Sequence, residues 1–202
     1  MNAAEHIVDA YFRLCRKCFT LSDIKVEKGN NRQFDILAHD LVKGDSFHIE
    51  VGVTHRLNWC PNITELESRF DKKFFGVAPA RDGANTGLTD HERKKNYFKQ
   101  IEASYRRVGI NPVTVRRVWV CWALKGSDTS APLQHKIRSA ALNKDFDVEI
   151  LGLRDLVLPQ LQTEIGTSNY EDEVLRTLGF LKQLNDQTNP TINPRRRRNE
   201  NA

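Results

Sequence analysis

The reading of the fold turns on two segments, Gln33-Phe34-Asp35-Ile36-Leu37-Ala38-His39-Asp40-Leu41 and Phe47-His48-Ile49-Glu50-Val51-Gly52-Val53-Thr54. In the first, Phe34, Ile36 and Ala38 alternate with Gln33, Asp35, Leu37 and His39; in the second, Phe47, Ile49, Val51 and Val53 alternate with His48, Glu50, Gly52 and Thr54. A period of two belongs to a β-strand. Lys43-Gly44-Asp45 between them has the composition of a tight turn, so the pair is predicted to form an antiparallel hairpin. Asp35 and Glu50 then stand on adjacent strands amid hydrophobic neighbours. Two acids in such a place are costly unless something positive joins them. A hard divalent cation with oxygen ligands meets that need, and Mg²⁺ is the usual one where phosphate is the reactant.

Working outward, Ile7, Val8, Tyr11, Phe12, Leu14, Cys15 and Phe19 recur at helical spacing, predicting an amphipathic helix from Ala3 to Phe19 with Glu5 in its first turn. A short strand is expected around Ile24 to Val26. Beyond the hairpin, Asn62 and Glu65 form a capping-box signature for a helix to about Phe75. Residues 78–89 read as a loop. A basic helix follows from about Asp90 to Val108, ended by Gly109, then a buried strand from Val113 to Leu124. A helix from Pro132 to Asn143, a strand from Val148 to Leu151, and helices near Leu153 to Ile165 and Tyr170 to Asn185 complete the chain. Strands alternating with helices imply parallel pairing in this second half and an α/β fold.

With 202 residues and 39% hydrophobic content, the chain can bury one proper core, and a single domain over residues 1–184 is expected. No apolar run is long enough for a membrane helix and no secretory signal pattern opens the chain, so a cytoplasmic protein, or a nuclear one in a eukaryote, is expected. Cys15 and Cys18 have zinc-like spacing, but no second pair follows, and the four cysteines read as reduced structural thiols. Of the net charge of +5, the segment 185–202 carries +2 through Arg195, Arg196, Arg197 and Arg198 against Asp186 and Glu200. That segment cannot bury enough apolar surface to fold alone. It is either a flexible arm for phosphate contacts or localisation, or a solvated terminus.

The order of elements, with Phe34-Asp35-Ile36 and Ile49-Glu50-Val51, resembles the PD-(D/E)XK, or restriction-endonuclease-like, nuclease superfamily over roughly residues 3–158. The resemblance implies a central mixed sheet, an antiparallel hairpin plus parallel strands, flanked by helices. It implies Mg²⁺ or Mn²⁺ held by Asp35 and Glu50 with Glu5 assisting, and hydrolysis of phosphodiester bonds, in DNA first and RNA second. A homodimer is compatible with it. One position departs from the family: Gly52 stands where its lysine would be. Lys72 or Lys73 on the next helix, Lys99 or Gln100 on the basic helix, and Thr54 or His55 are the candidate replacements. The competing expectation is a catalytically inactive nuclease fold that binds nucleic acid or a protein.

The basic helix carries Arg93, Lys94, Lys95, Lys99, Arg106 and Arg107 among Tyr97, Phe98 and Tyr105. Cations in such an arrangement suit phosphates and aromatics suit exposed bases, while Phe98, Ile101 and Tyr105 recur at the spacing of a core-facing stripe. His48, on the same strand side as Glu50, reads as a surface or supporting residue. No glycine-rich loop precedes a Lys-Ser or Lys-Thr pair, which disfavours nucleotide-driven motors and kinases.

Overall fold

The computed structural model describes residues 1–29, 31–53, 60–77, 96–139, 142–166 and 169–188. Helix α1 (Ala3–Leu14) is opened by a capping box in which the Asn2 side chain accepts from the Glu5 N–H and Glu5 reaches back to the Asn2 N–H. It ends five residues before the sequence reading placed its end, because Lys17 turns at a φ of +57° and the chain enters strand β1 (Phe19–Lys25). Strand β2 (Gln33–His39) and strand β3 (Ser46–Val51) form the expected hairpin, with Ile36 opposite Ile49 and Leu37 opposite His48. Its turn is held by Asp40, whose carboxylate accepts from the N–H groups of Val42 and Lys43, with Gly44 at a φ of +74°.

Helix α2 (Ile63–Phe74) starts from the capping box of Asn62 and Glu65. Helix α3 (Phe98–Arg107) leads to strand β4 (Arg116–Cys121). The helix expected over 132–143 is instead strand β5 (Leu133–Ser139), which pairs antiparallel with strand β6 (Lys144–Gly152). The reason lies in the period: Leu133, His135, Ile137 and Ser139 face inward at every second position, and Ile137 and Ser139 are buried. A π-helical turn (Leu153–Val157), helix α4 (Leu158–Ile165) and helix α5 (Glu173–Thr188) follow. Helix α5 continues past residue 184, into the stretch read as tail.

The six strands lie in the order β1-β2-β3-β4-β6-β5. β3, β4 and β6 run parallel and the outer pairs antiparallel, so the sheet is mixed. Alternation divides the sheet between two cores. Ile36, Ala38, Phe47, Ile49, Val118 and Val120 pack with Val8, Tyr11 and Phe12 of α1. Trp119, Cys121, Val148 and Ile150 pack with Leu66, Phe70 and Phe74 of α2. Phe34 departs from the expected alternation and joins Leu37, Ile101 and Tyr105 under α3, at the point where its neighbouring strand takes a φ of +54° at Asp23. Among the described residues no helix is long and apolar enough to cross a membrane.

Candidate active site

Asp35 and Glu50 stand one step beyond the Ile36/Ile49 pair, on the sheet face that α2 covers. Asp35 is 6% exposed and Glu50 only 1%. Asp35 Oδ2 accepts from the Val51 N–H at 2.8 Å, which ties the end of β2 to β3. From the last turn of α2, the Lys73 ammonium reaches both acids, 2.6 Å from Glu50 Oε2 and 3.5 Å from Asp35 Oδ1. Lys72 does not share this position: its side chain is exposed, and its carbonyl accepts from Arg32 at 2.7 Å. The helix period separates the two lysines by about 100°, so only one can face the hairpin.

Behind the acids runs a buried hydrogen-bonded chain that sequence reading missed. His48 is fully buried, with Nε2 2.8 Å from Glu50 Oε1 and Nδ1 2.6 Å from the Tyr105 hydroxyl. Burial, aided by the positive charge of Arg117, lowers the imidazole to about 3, so the ring is neutral. A neutral ring beside a carboxylate places its proton on Nε2, donating to Glu50, and leaves Nδ1 to accept from Tyr105. Glu50 is thereby oriented from below by a chain anchored in α3. The only sequence signal was the shared parity of His48 and Glu50; Tyr105 meets them through tertiary packing alone.

The electrostatics follow from burial. Removal from water raises Glu50 to about 7 against the opposing pull of Lys73. Burial likewise raises Asp35 to about 6, with the charge of Glu50 adding to the effect and Lys73 working against it. Burial alone would lower Lys73, but the two carboxylates outweigh it and hold the ammonium above its ordinary value. A carboxyl whose folded pKa is raised favours the fold most below its ordinary pKa, and that advantage is lost as pH rises through the folded value. Wild type is therefore expected to lose stability relative to Glu50→Gln between about pH 4.5 and pH 7, by on the order of 3 kcal/mol. Lys73 is 41% exposed at its side chain and can turn to water in the variant. Urea unfolding of both proteins at pH 4.5 and pH 8 measures this, and parallel pH profiles would contradict it.

The packing of Trp119 explains why position 52 carries no side chain. A Cβ there would lie 2.8 Å from Cε2 of Trp119 and closer still to Cζ2, inside the indole's van der Waals envelope. Trp119 is itself wedged against Phe70 and Phe74. The side-chain volume of position 52 is occupied by Trp119, and the cation near the acids comes from α2.

Glu5 is committed to the cap of α1, its carboxylate accepting from the Asn2 N–H at 2.8 Å, and α1 packs on the opposite sheet face from Asp35 and Glu50. Lys99 is exposed on α3, and Lys99 and Gln100 line a groove with Glu27, Lys28, Ser104 and Arg107 rather than contacting the acids. Arg93, Lys94, Lys95, Thr54, His55 and Arg195 to Arg198 lie outside the described residues. The donor set suits a hard cation that keeps several of its waters, since Mg²⁺ is commonly bound by one or two carboxylates. Glu50 Oε2 is buried and its contact among the described residues is the Lys73 ammonium, so a bound cation would share that oxygen with Lys73 or displace it. Among the described residues no three His, Cys, Asp or Glu side chains gather as a metal cluster, and the protein's share would be two ligands.

No protein-family model, curated protein or solved structure matches the chain.

Proposed function

We propose that this chain is a metal-dependent nuclease acting on phosphodiester bonds, with DNA as its first substrate. The observation that carries the reading is the triad of Asp35, Glu50 and Lys73, assembled from two strands and a helix although position 52 cannot hold a side chain. Asp35 and Glu50 would hold Mg²⁺ or Mn²⁺, which when bound polarises a phosphoryl oxygen and makes water more acidic. Lys73 is then the cation available to steady developing negative charge, and its half-exposed side chain lets it shift from the carboxylates toward substrate. His48 keeps Glu50 fixed and ionisable. Lys99 and the arginine segment supply phosphate contacts.

The burial of both acids favours a second reading, a nuclease fold without catalysis in which Lys73 neutralises the pair permanently. Incubating wild type, Asp35→Ala and Glu50→Ala with single-stranded, double-stranded and branched DNA and with RNA, in Mg²⁺ or Mn²⁺, separates the two. Metal-dependent cleavage lost in both variants is the expected result. A folded wild type that cuts nothing, and whose melting temperature at pH 7.5 ignores both metals, would leave the binding module.

A further inference from the structure

A second charged feature lies on β4, where Arg117 is the register partner of His48 and stands two residues before Trp119, the partner of Glu50. Arg117 on β4 is 7% exposed and packs beside the mutually tilted rings of Phe75 and Phe146, 5.1 and 4.7 Å from their centres. Among the described residues its one hydrogen bond is a long one, 3.4 Å to the Val115 carbonyl, and its buried Nε has no partner. Among the described residues no carboxylate lies within ion-pair distance of it. A guanidinium withdrawn from water without an acid is costly, and ring contacts offset only part of that cost.

Arg117 lines a cavity of about 300 Å³ with Phe98, Glu102, Thr114, Lys144 and Phe146, at the lower end of the size range of small-molecule sites. Lys144 rests over Phe146 and also lacks a carboxylate. The acids of the lining are mostly engaged elsewhere: Glu102 by Arg106 at 3.4 Å, Asp145 by Arg138 at 3.0 Å and Glu149 by Arg16 at 2.6 Å. Asp147, exposed at the rim, is the exception. Among the described residues Arg117 and Lys144 form no ion pair, although the charge of Glu102 is felt at Arg117; two cations so placed match a doubly charged oxyanion, and the cavity is larger than phosphate alone requires.

We infer that this cavity binds a small phosphorylated organic molecule, its phosphate on the Arg117 fork and its organic part against Phe98. The inference is independent of the nuclease reading, because none of the lining residues belongs to the Asp35–Glu50–Lys73 site.

Calorimetric titration of the full chain in EDTA, with adenosine 5′-monophosphate, inorganic phosphate and succinate, tests it. The nucleotide is expected to bind once per chain and phosphate to compete with it. Arg117→Met should weaken binding at least about tenfold, as loss of a charged hydrogen-bond partner does. Asp147→Lys, a change at an exposed residue, should tighten it about threefold or more by reversing a nearby charge. Glu50→Gln should leave it unaltered, which separates this cavity from the acidic site. Absent nucleotide binding, binding indifferent to Asp147→Lys, or succinate bound more tightly than the nucleotide would each overturn the assignment. Should Arg117→Met fail to fold, the Asp147→Lys titration decides.

Discussion

Lys73→Met is expected to lower the metal-dependent cleavage rate by about 10² to 10³-fold, the range seen when one group stabilising transition-state charge is removed. Lys72→Met, one residue away on the same helix, should stay within about twofold, since such a surface change touches neither acid. The contrast matters more than either value. Any general effect on α2 or on the protein's positive field would fall on both variants alike, whereas only Lys73 contacts Glu50 and Asp35. Methionine keeps the length and apolar stem of the side chain and removes the charge. The change should also raise the pH at which the carboxylates ionise, because the cation in contact with both, which opposes the effect of their burial, is gone. Single-turnover rates across pH 6 to 9 are the measurement. Equal losses in the two variants, or a Lys73→Met enzyme at wild-type rate, would remove Lys73 from the chemistry.

Gly52→Ala is expected to destabilise the fold by about 3 kcal/mol, the upper part of the range for overpacking a filled core. For a chain of this size that is a fall in melting temperature of about 6 to 12 °C. Backbone conformation is not the obstacle, since Gly52 is absent from the positions with positive φ; the overlap is with Trp119. Gly52→Lys should therefore damage the site, even though it places a lysine where the nuclease resemblance would have one. The check is a double-mutant cycle by urea unfolding. In a Trp119→Ala background the added methyl should cost little, a coupling of about 2 kcal/mol or more. If Gly52→Ala melts with wild type, Trp119 is not what excludes a side chain there.

The hairpin was legible because its information is local. Alternation over Gln33 to Leu41 and Phe47 to Thr54, with a Lys-Gly-Asp turn between, determines two paired strands and puts Asp35 beside Glu50. The capping box of Asn62 and Glu65 was likewise legible in residues three apart, whereas the matching box of Asn2 and Glu5 went unread. Leu133 to Ser139 was misread because its apolar residues are few and His135 and Ser139 had to count as inward positions. Only its partner strand β6 settles them, through pairing that holds all seven residues extended. Phe34 changed sides for a comparable reason, joining Tyr105 and His48 beneath a helix whose position no local pattern discloses.

The sequence by itself determined the hairpin, its two acids, the Asn62 cap of α2 and the short list of lysines that could approach the acids. Tertiary structure alone decided that Lys73 is the lysine that contacts them, that Trp119 closes position 52, that Tyr105 and His48 lie under Glu50, and that Arg117 is buried with no ion pair among the described residues. The division has a physical cause. Strand and helix periods fix which way a side chain points within its own element, while the meeting of two side chains from distant elements depends on how their apolar faces pack, which no spacing along the chain encodes.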